Sequence, residues 1–382
     1  MRFRVDRDVL ADAVAWTART LPSRPSVPVL AGIRMQADDA LNVSSFDYEV
    51  SAEVSLPVTT AEPGTTLVSG RLLAEITRSL PDRPVEVATD GSKVVLTCGS
   101  ATFTLLTMPV EDYPALPEMP PPTGSVGSDA FATAVTQVAI AAGRDDTLPV
   151  LTGVRVEIDG NMITLASTDR YRLAVRELHW NPRQPDIDAT ALVPARTLAD
   201  TARSLTSGAE VSIALGLRGQ AAAVTATGEG MIGFEGGGRR TTTRLLDGEF
   251  PKFRSLLPDQ VNAVAELPTS AFTESVKRVS LVAERSTPVR LSFSAGQLFL
   301  EAGTGDEAQA VETLEASLDG DDIQIAFNPQ YLLDGLSAID SDTARLSFTI
   351  PTKPAVITGK PAGDDPGQPD YRYLLMPIRP AG

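Results

Sequence analysis

The chain has 382 residues, of which 42% are hydrophobic and 5% aromatic, and a formal net charge of −16. That length predicts two to four domains, each large enough to bury its own core. One cysteine (Cys98) and one histidine (His179) exclude an intrachain disulfide, a Cys/His zinc cluster and most histidine-based catalysis. Cys98 reads as a buried small hydrophobe and His179 as a surface or strand-end residue. Taken alone, the acidic balance opposes nucleic-acid binding, because phosphates attract positive surfaces. Net charge is an average, however, and a basic face can exist on an acidic chain. The opening MRFRVDRDVLADAVAW alternates charge with apolar residues, which predicts no signal peptide. No apolar run reaches the roughly 18 residues of a membrane span, so the expectation is a cytoplasmic protein with no membrane partner.

In chain order, Leu10, Val14, Thr17 and Leu21 mark one face of an amphipathic helix. PVLAGI at 28–33 reads as a strand entered at proline. LVSGRLLAEITRSL (67–80) reads as a second helix, and VEVATDGSKVVLTC as a hairpin turning at Asp90-Gly91. EDYPALPEMPPPTG (111–124) ends this block with a stiff proline run. The series then restarts. A helix is predicted near 129–142, a strand entry at PVLTGV (149–154), and a hairpin in VRVEIDGNMITLAS with Asp159-Gly160 at its turn. A helix in LVPARTLADTARSL (192–205) and a closing GEFPKFRSLLPDQ (248–260) complete the second block. A third series has a helix near 270–284, PVRLSF (288–293), the strands QLFLEAG and AVETLEASL, and a helix in FNPQYLLDGLSAID (327–340).

The second helices carry the repeat. LVSGRLLAEITRSL and LVPARTLADTARSL are identical at eight of fourteen positions, at an offset of 125 residues. Such self-similarity marks a duplicated domain. The third copy keeps Pro329 and Leu333 in the places of Pro194 and Leu198 but lacks both arginines. Each block reads helix, strands, helix, strands, and the expected domains are 1–120, 124–257 and 260–382.

Two motifs are discounted. GEGMIG (228–233) spells the dinucleotide fingerprint, but a glycine run and a Thr-rich strand follow it instead of a helix, so it reads as a hairpin loop. The acidic stretch GDEAQAVE (305–312) lacks calcium-loop spacing. No lysine precedes Ser or Thr, so there is no Walker A motif. The carboxylates are dispersed, without the cluster that a metal-dependent nuclease needs. No cofactor, metal or catalytic residue is expected.

At this point the chain resembles a known family, the bacterial DNA polymerase III beta subunits or replicative sliding clamps, in an actinobacterial form. The residues that carry the resemblance are ASTDRYRLAV (166–175), GEFPKFRSLLP (248–258), FNPQYLLDGL (327–336) and YLLMPIRP (373–380), and it covers essentially the whole length. It implies an α+β fold of three tandem similar domains, each with two helices packed on antiparallel sheets. Two chains would join head to tail in a six-domain ring around duplex DNA. It also implies a non-catalytic processivity factor whose partners are a second copy of itself, double-stranded DNA read without sequence preference, the polymerase III alpha subunit with its 3′–5′ exonuclease complex, the clamp loader, and other proteins bearing a clamp-binding motif. A three-domain scaffold that does not encircle DNA is the alternative.

The family lines its ring with helices. Arg71 and Arg78, with Glu75 between them, and Arg196 and Arg203, with Asp200 between them, then read as DNA-facing pairs. An exposed salt-bridge ladder is the other reading of the same spacing. Arg24, Arg144, Lys277, Arg278 and Arg285 complete the expected DNA-facing set. The resemblance also implies a partner-peptide pocket made of Leu151, Thr168, Arg172, Leu173, Pro251, Leu256, Asn328, Tyr331, Leu375, Met376, Pro377, Ile378 and Arg379. In it Leu, Met and Pro would form the floor, while Arg and Asn would hold the peptide's polar ends. Three features depart from the family pattern. The tail ends Pro380-Ala381-Gly382 where Leu is usual, Ser255 replaces a larger basic residue, and Ser286 replaces an aromatic one. They raise the expectation of a variant copy with an altered, inhibitor-resistant pocket.

Overall fold

The structure, a computed structural model, describes residues 1–206, 208–216, 230–283, 287–304, 308–360 and 369–378. Arg285, Ser286, Arg379 and the Pro380-Ala381-Gly382 tail therefore lie outside the described residues, as do Gly228-Glu229 and residues 305–307. Six α-helices are described: α1 (Arg7–Thr17), α2 (Gly70–Ser79), α3 (Ser128–Ala139), α4 (Ala195–Ser204), α5 (Thr269–Val279) and α6 (Pro329–Ser337). They fall two to a block, at the places where the sequence periodicity put them. On α2 the apolar face buries Leu73, Ala74, Ile76 and Thr77, while Arg71, Glu75 and Arg78 stay exposed. The 3.6-residue period thus separates core from charge as the sequence indicated.

By proximity the chain divides into two compact units. The first holds residues 1–132, 180–185 and 200–245; the second holds 133–179, 186–199 and 246–382. In the first, α1 and α2 place Leu10, Val14, Leu73 and Ile76 in a core with Phe3, Ile33, Val43, Val85 and Leu96. In the second, Phe272 and Val276 of α5 and Leu332 and Leu336 of α6 join Leu291, Phe327, Leu346 and Tyr373.

Every pairing within the sheets is antiparallel, and each block supplies strands in the same order. In the first unit Val50–Leu56 of block one pairs with Arg239–Arg244 of block two, giving a nine-stranded sheet. In the second unit Arg172–His179 of block two pairs with Tyr371–Leu375 of block three in a second nine-stranded sheet. The fourth strand of one block therefore takes the last strand of the next as its neighbour. The blocks are joined through backbone hydrogen bonds as well as by chain connections, which is why proximity does not separate them cleanly.

Two remaining sheets end on free edges. Ala101–Leu106, the last strand of block one, is the outer strand of a five-stranded sheet in the first unit. Ala308–Glu315, the fourth strand of block three, is an outer strand of a four-stranded sheet in the second.

The hairpins form where Asp-Gly predicted them, with Gly91 and Gly160 at positive φ as the first loop residue. Two strand entries need correction. Pro28–Ala31 and Pro149–Thr152 are 3₁₀ turns, and the strands start at Gly32 and Gly153. Proline's fixed φ suits the first position of a helical turn as well as it suits a strand start. The glycines follow because a Cβ would come within 2.6 Å of Leu67 at Gly32 and 2.8 Å of Leu192 at Gly153. Only the third copy enters a strand directly, at Val289 after Pro288. Of GEGMIG, residues 230–233 are described: Gly230 lies in a turn and Met231 opens the strand Met231–Gly236, so no helix follows the motif. Cys98 is buried and His179 sits exposed at a strand end.

Candidate functional site

Within the second unit a cavity of about 780 Å³ opens between the loop after α3, the turn at Asp169–Arg172 and the start of α6. Its lining includes Leu148, Leu151, Tyr171 and Tyr331, with Arg144, Arg170 and Arg172 as cations and Asp145, Asp169 and Asp334 as anions. The volume falls within the usual range of small-ligand or peptide-anchor sites.

The turn is built around Asp169. Its Oδ1 accepts the backbone N–H groups of Tyr171 at 3.0 Å and Arg172 at 3.1 Å. The Thr168 hydroxyl donates to the Arg172 carbonyl at 2.6 Å and accepts the Arg170 N–H at 3.2 Å. These bonds hold Arg170 at φ 80°, a left-handed conformation uncommon for a residue with a Cβ. The same turn occurs in block one, where Asp47 accepts from Glu49 and Val50 and Tyr48 has φ 76°.

Arg172 is buried, and its Nε donates to Asp169 at 2.9 Å while Nη1 donates to Asp334. Its guanidinium carbon lies 4.3 Å from the Tyr331 ring centroid. Burial works against its charge, but the Tyr373 hydroxyl and the two carboxylates outweigh it and raise its pKa. Burial likewise pushes the Tyr331 phenol up, with Asp169 adding to the effect. Tyr171 and Tyr331 stack at 6.3 Å between centroids.

Of the expected pocket residues, Leu151, Arg172 and Tyr331 line this cavity. Leu173 and Leu375 are fully buried core residues, the former packed with Phe250 and Phe253. Thr168 is buried in the turn, and Asn328 spends its side-chain oxygen capping α6 through the Tyr331 N–H. Pro251, Leu256 and Met376 are exposed, and Pro377 and Ile378 half-buried. The Ile378 N–H donates to Ala326 and the Met376 N–H to Tyr171, which fixes the tail strand's exit. Sequence reasoning missed Leu148, Arg170, Tyr171 and Asp334 as lining residues. Arg170 and Tyr171 lay inside the quoted ASTDRYRLAV, and an exposed aromatic between two arginines was the available signal. Arg144, expected among the DNA-facing charges, also lines the cavity.

The other basic residues sit on helix faces and loops. In the first unit Arg24, Arg71, Arg78 and Arg203 are exposed, and Arg71 donates to the Pro22 carbonyl at 3.2 Å. Arg203 pairs with Asp200 at 2.6 Å, so the ladder reading holds for that one pair. In the second unit Arg196, Lys277 and Arg278 are exposed. Lys277 pairs with Glu274, and Arg278 grips Glu312 of the free-edge strand through two nitrogens. The Arg278 and Ser275 hydrogen bonds hold the Glu312 carboxyl below its usual range. No group of three or more metal-ligating side chains occurs among the described residues. No helix of the described residues is long and apolar enough to cross a membrane.

The chain matches the family descriptions of the DNA polymerase III beta subunit in three parts: N-terminal domain over residues 1–117, central domain over 125–252, and C-terminal domain over 254–379. It is 62% identical to the beta sliding clamp of Streptomyces coelicolor, over 100% of both chains. It is 46% identical to the beta sliding clamp homolog GriR of Streptomyces muensis, over 99% of both. Among solved structures it is similar to the sliding clamp of Pseudomonas aeruginosa bound to griselimycin, with a TM-score of 0.89, 26% identity and 99% coverage of each chain.

Proposed function

The chain belongs to the DNA polymerase III beta subunit family, the non-catalytic sliding-clamp processivity factors, and from that premise we propose that two copies close head to tail into a ring around duplex DNA. One observation carries this reading. The fourth strand of each block pairs with the last strand of the next, and two strands are left over: Ala308–Glu315, with no following block, and Ala101–Leu106, with no preceding one. A second copy supplies both missing neighbours. Such a contact joins two different patches, and a heterologous contact whose rotation closes makes a ring. The leftover edges bear exposed apolar residues: Leu106 on one, Val311 and the nearby Leu281 on the other. Monomers otherwise rarely leave such edges open.

Arg24, Arg71, Arg78, Arg196, Arg203, Lys277 and Arg278 supply phosphate contacts in this reading. They are few against a net charge of −16, so topology holds the DNA and affinity stays weak. The cavity at Leu151, Arg172 and Tyr331 receives a short peptide from the polymerase alpha subunit, the clamp loader and other partners. Retention on DNA tests the ring against a scaffold. A topological clamp, once loaded, stays on a nicked circle and leaves it after linearisation; equal retention on both forms refutes the ring.

The altered-pocket reading rests on the likeness to the GriR homolog, at lower identity than the likeness to the S. coelicolor clamp. Peptide affinity measured before and after Pro380→Leu decides it, and an unchanged affinity removes it.

A further inference from the structure

We propose that two copies pair their free edges in one fixed register, with Glu312 of one chain facing Ala101 of the partner subunit. The inference rests on the ring reading and deepens it from a contact between edges to a contact between named residues.

The two internal junctions set the rule. In the first unit Arg239 faces Val54, the Ser55 N–H donates to the Gly238 carbonyl at 3.4 Å, and the Arg244 N–H donates to the Glu49 carbonyl at 3.0 Å. In the second unit Tyr371 faces Arg176, the Glu177 N–H donates to the Asp370 carbonyl at 2.8 Å, and the Met376 N–H donates to the Tyr171 carbonyl at 2.9 Å. In both, these bonds flank a non-hydrogen-bonded pair, so register and bonding phase repeat. The facing residues hold the same places in their sheets. Met35, Val43 and Val54 face one another in block one, as do Val156, Leu165 and Arg176 in block two and Leu291, Leu300 and Glu312 in block three. On the last strands, Val5, Val85, Cys98 and Ala101 form such a run in block one. Val126, Val211, Gly236 and Arg239 hold its places in block two, and Leu267, Ala344, Gly359 and Tyr371 in block three. Glu312 thus corresponds to Val54 and Arg176, and Ala101 to Arg239 and Tyr371. Applied to the free edges, the rule sets Glu312 opposite the partner's Ala101, Val311 opposite the partner's Thr102 and Ala310 opposite the partner's Phe103. It also carries the Thr313 N–H to the carbonyl of the partner's Ser100.

The side chains at this place supply an independent argument. At the internal junctions the last-strand residue reaches the first helix of the neighbouring block. Arg239 pairs with Asp12 and lies 5.4 Å from the Trp16 ring centroid, and the Tyr371 hydroxyl donates to the Gln137 carbonyl at 3.3 Å. Trp16, Gln137 and Arg278 occupy the same place on α1, α3 and α5, in step with the buried Leu10, Phe131 and Phe272. At the free edge Arg278 turns instead to Glu312 of its own chain, whose carboxylate also accepts from the Ser275 hydroxyl at 2.7 Å. Position 101 is alanine, too short to compete for that carboxylate. In this register the subunit contact buries no unpaired charge when it forms and strands none when it separates. A shift of two residues sets Glu312 against the partner's Phe103, or carries it past the start of the strand to the partner's Gly99.

The test uses the full-length protein carrying Cys98→Ser, which removes the one native thiol, itself facing Ala101. Two matched pairs of cysteines are introduced into it. One is Ala101→Cys with Glu312→Cys; the other is Thr102→Cys with Val311→Cys, which changes exposed residues only and leaves the Arg278–Glu312 contact intact. Controls shifted by two residues combine Ala101→Cys with Ala310→Cys or Leu314→Cys, and Thr102→Cys with Gln309→Cys or Thr313→Cys. Sedimentation velocity checks that each variant dimerises, and non-reducing gels follow the disulfide-linked dimer under mild oxidation. Facing Cα atoms lie about 4.5–5.5 Å apart and diagonal ones about 7–8 Å, while a disulfide spans roughly 4.4–6.8 Å. Each matched pair therefore links about ten-fold faster than its shifted controls. If the dimer forms but a shifted pair links fastest, or the matched pairs link no faster than the controls, the register is overturned and the ring reading stands. If the Cys98→Ser parent stays a monomer at every concentration tested, the ring reading fails and takes the register with it.

Discussion

Leu106→Asp tests the ring at its edge. Leu106 is 71% exposed in the single chain, at the end of the free strand Ala101–Leu106. Full burial of a leucine side chain contributes about 3 kcal/mol, so covering the exposed part contributes roughly 2 kcal/mol at one junction. A two-chain ring has two such junctions, so the substitution removes about 4 kcal/mol even before the cost of burying a carboxylate, which is roughly a thousand-fold in dimer dissociation constant. Within the single chain the side chain makes little of the core, so the thermal stability of the monomer changes by no more than about 0.5 kcal/mol. Sedimentation velocity across a dilution series measures the dissociation constant, and a melting curve at low concentration measures the monomer. A dimer constant within about three-fold of the parent's, with an intact fold, refutes edge-to-edge closure through this strand.

Three other outcomes follow from named contacts. Arg172→Ala strands Asp169 and Asp334 without their cation and destabilises the second unit by about 3 kcal/mol, measured as a lower urea midpoint. Tyr113→Phe takes away the acceptor of the buried Phe46 N–H, which it binds at 2.7 Å, and costs about 1–2 kcal/mol, seen as faster hydrogen exchange at that amide. Burial pushes the Tyr113 phenol up from 10.0 to about 12, so its contribution is complete below pH 10 and declines as pH rises through about 12, a dependence absent in the Phe variant. Arg78→Ala, on an exposed helix face with no salt bridge among the described residues, lowers the slope of log affinity against log salt by about one for duplex DNA, with no change in sequence preference.

The helices and hairpins were legible because their signals are local. Leu73, Ile76 and Leu80 recur at helical spacing, and Asp90-Gly91 and Asp159-Gly160 close two-residue loops. The Pro-Val segments were ambiguous for an equally local reason: proline fixes φ but not ψ, so it opens a 3₁₀ turn at Pro28 and Pro149 and precedes a strand at Pro288. The pocket was only partly legible. Its floor residues could be carried over from a resemblance, but the state of each polar group could not. Arg172 reads as a peptide contact until it is seen bound to Asp334, 162 residues away. Arg170, next but one before it, is exposed, with Asp145 as its electrostatic neighbour.

The same contrast separates the two strongest repeat signals. The arginine pairs of α2 and α4 are conspicuous in the sequence because eight of fourteen neighbouring positions are shared, yet one of their members is already paired with Asp200. The pairing of Val50–Leu56 with Arg239–Arg244 leaves no trace in the sequence, since strands some 190 residues apart share no local pattern. It is nevertheless this pairing, repeated between Arg172–His179 and Tyr371–Leu375, that specifies what the chain lacks. A three-block chain built this way always presents one unfilled fourth strand and one unfilled last strand, whatever its surface charge. Reversing charges on α2 and α4 therefore changes how the ring holds DNA, whereas blocking Ala101–Leu106 or Ala308–Glu315 decides whether there is a ring at all.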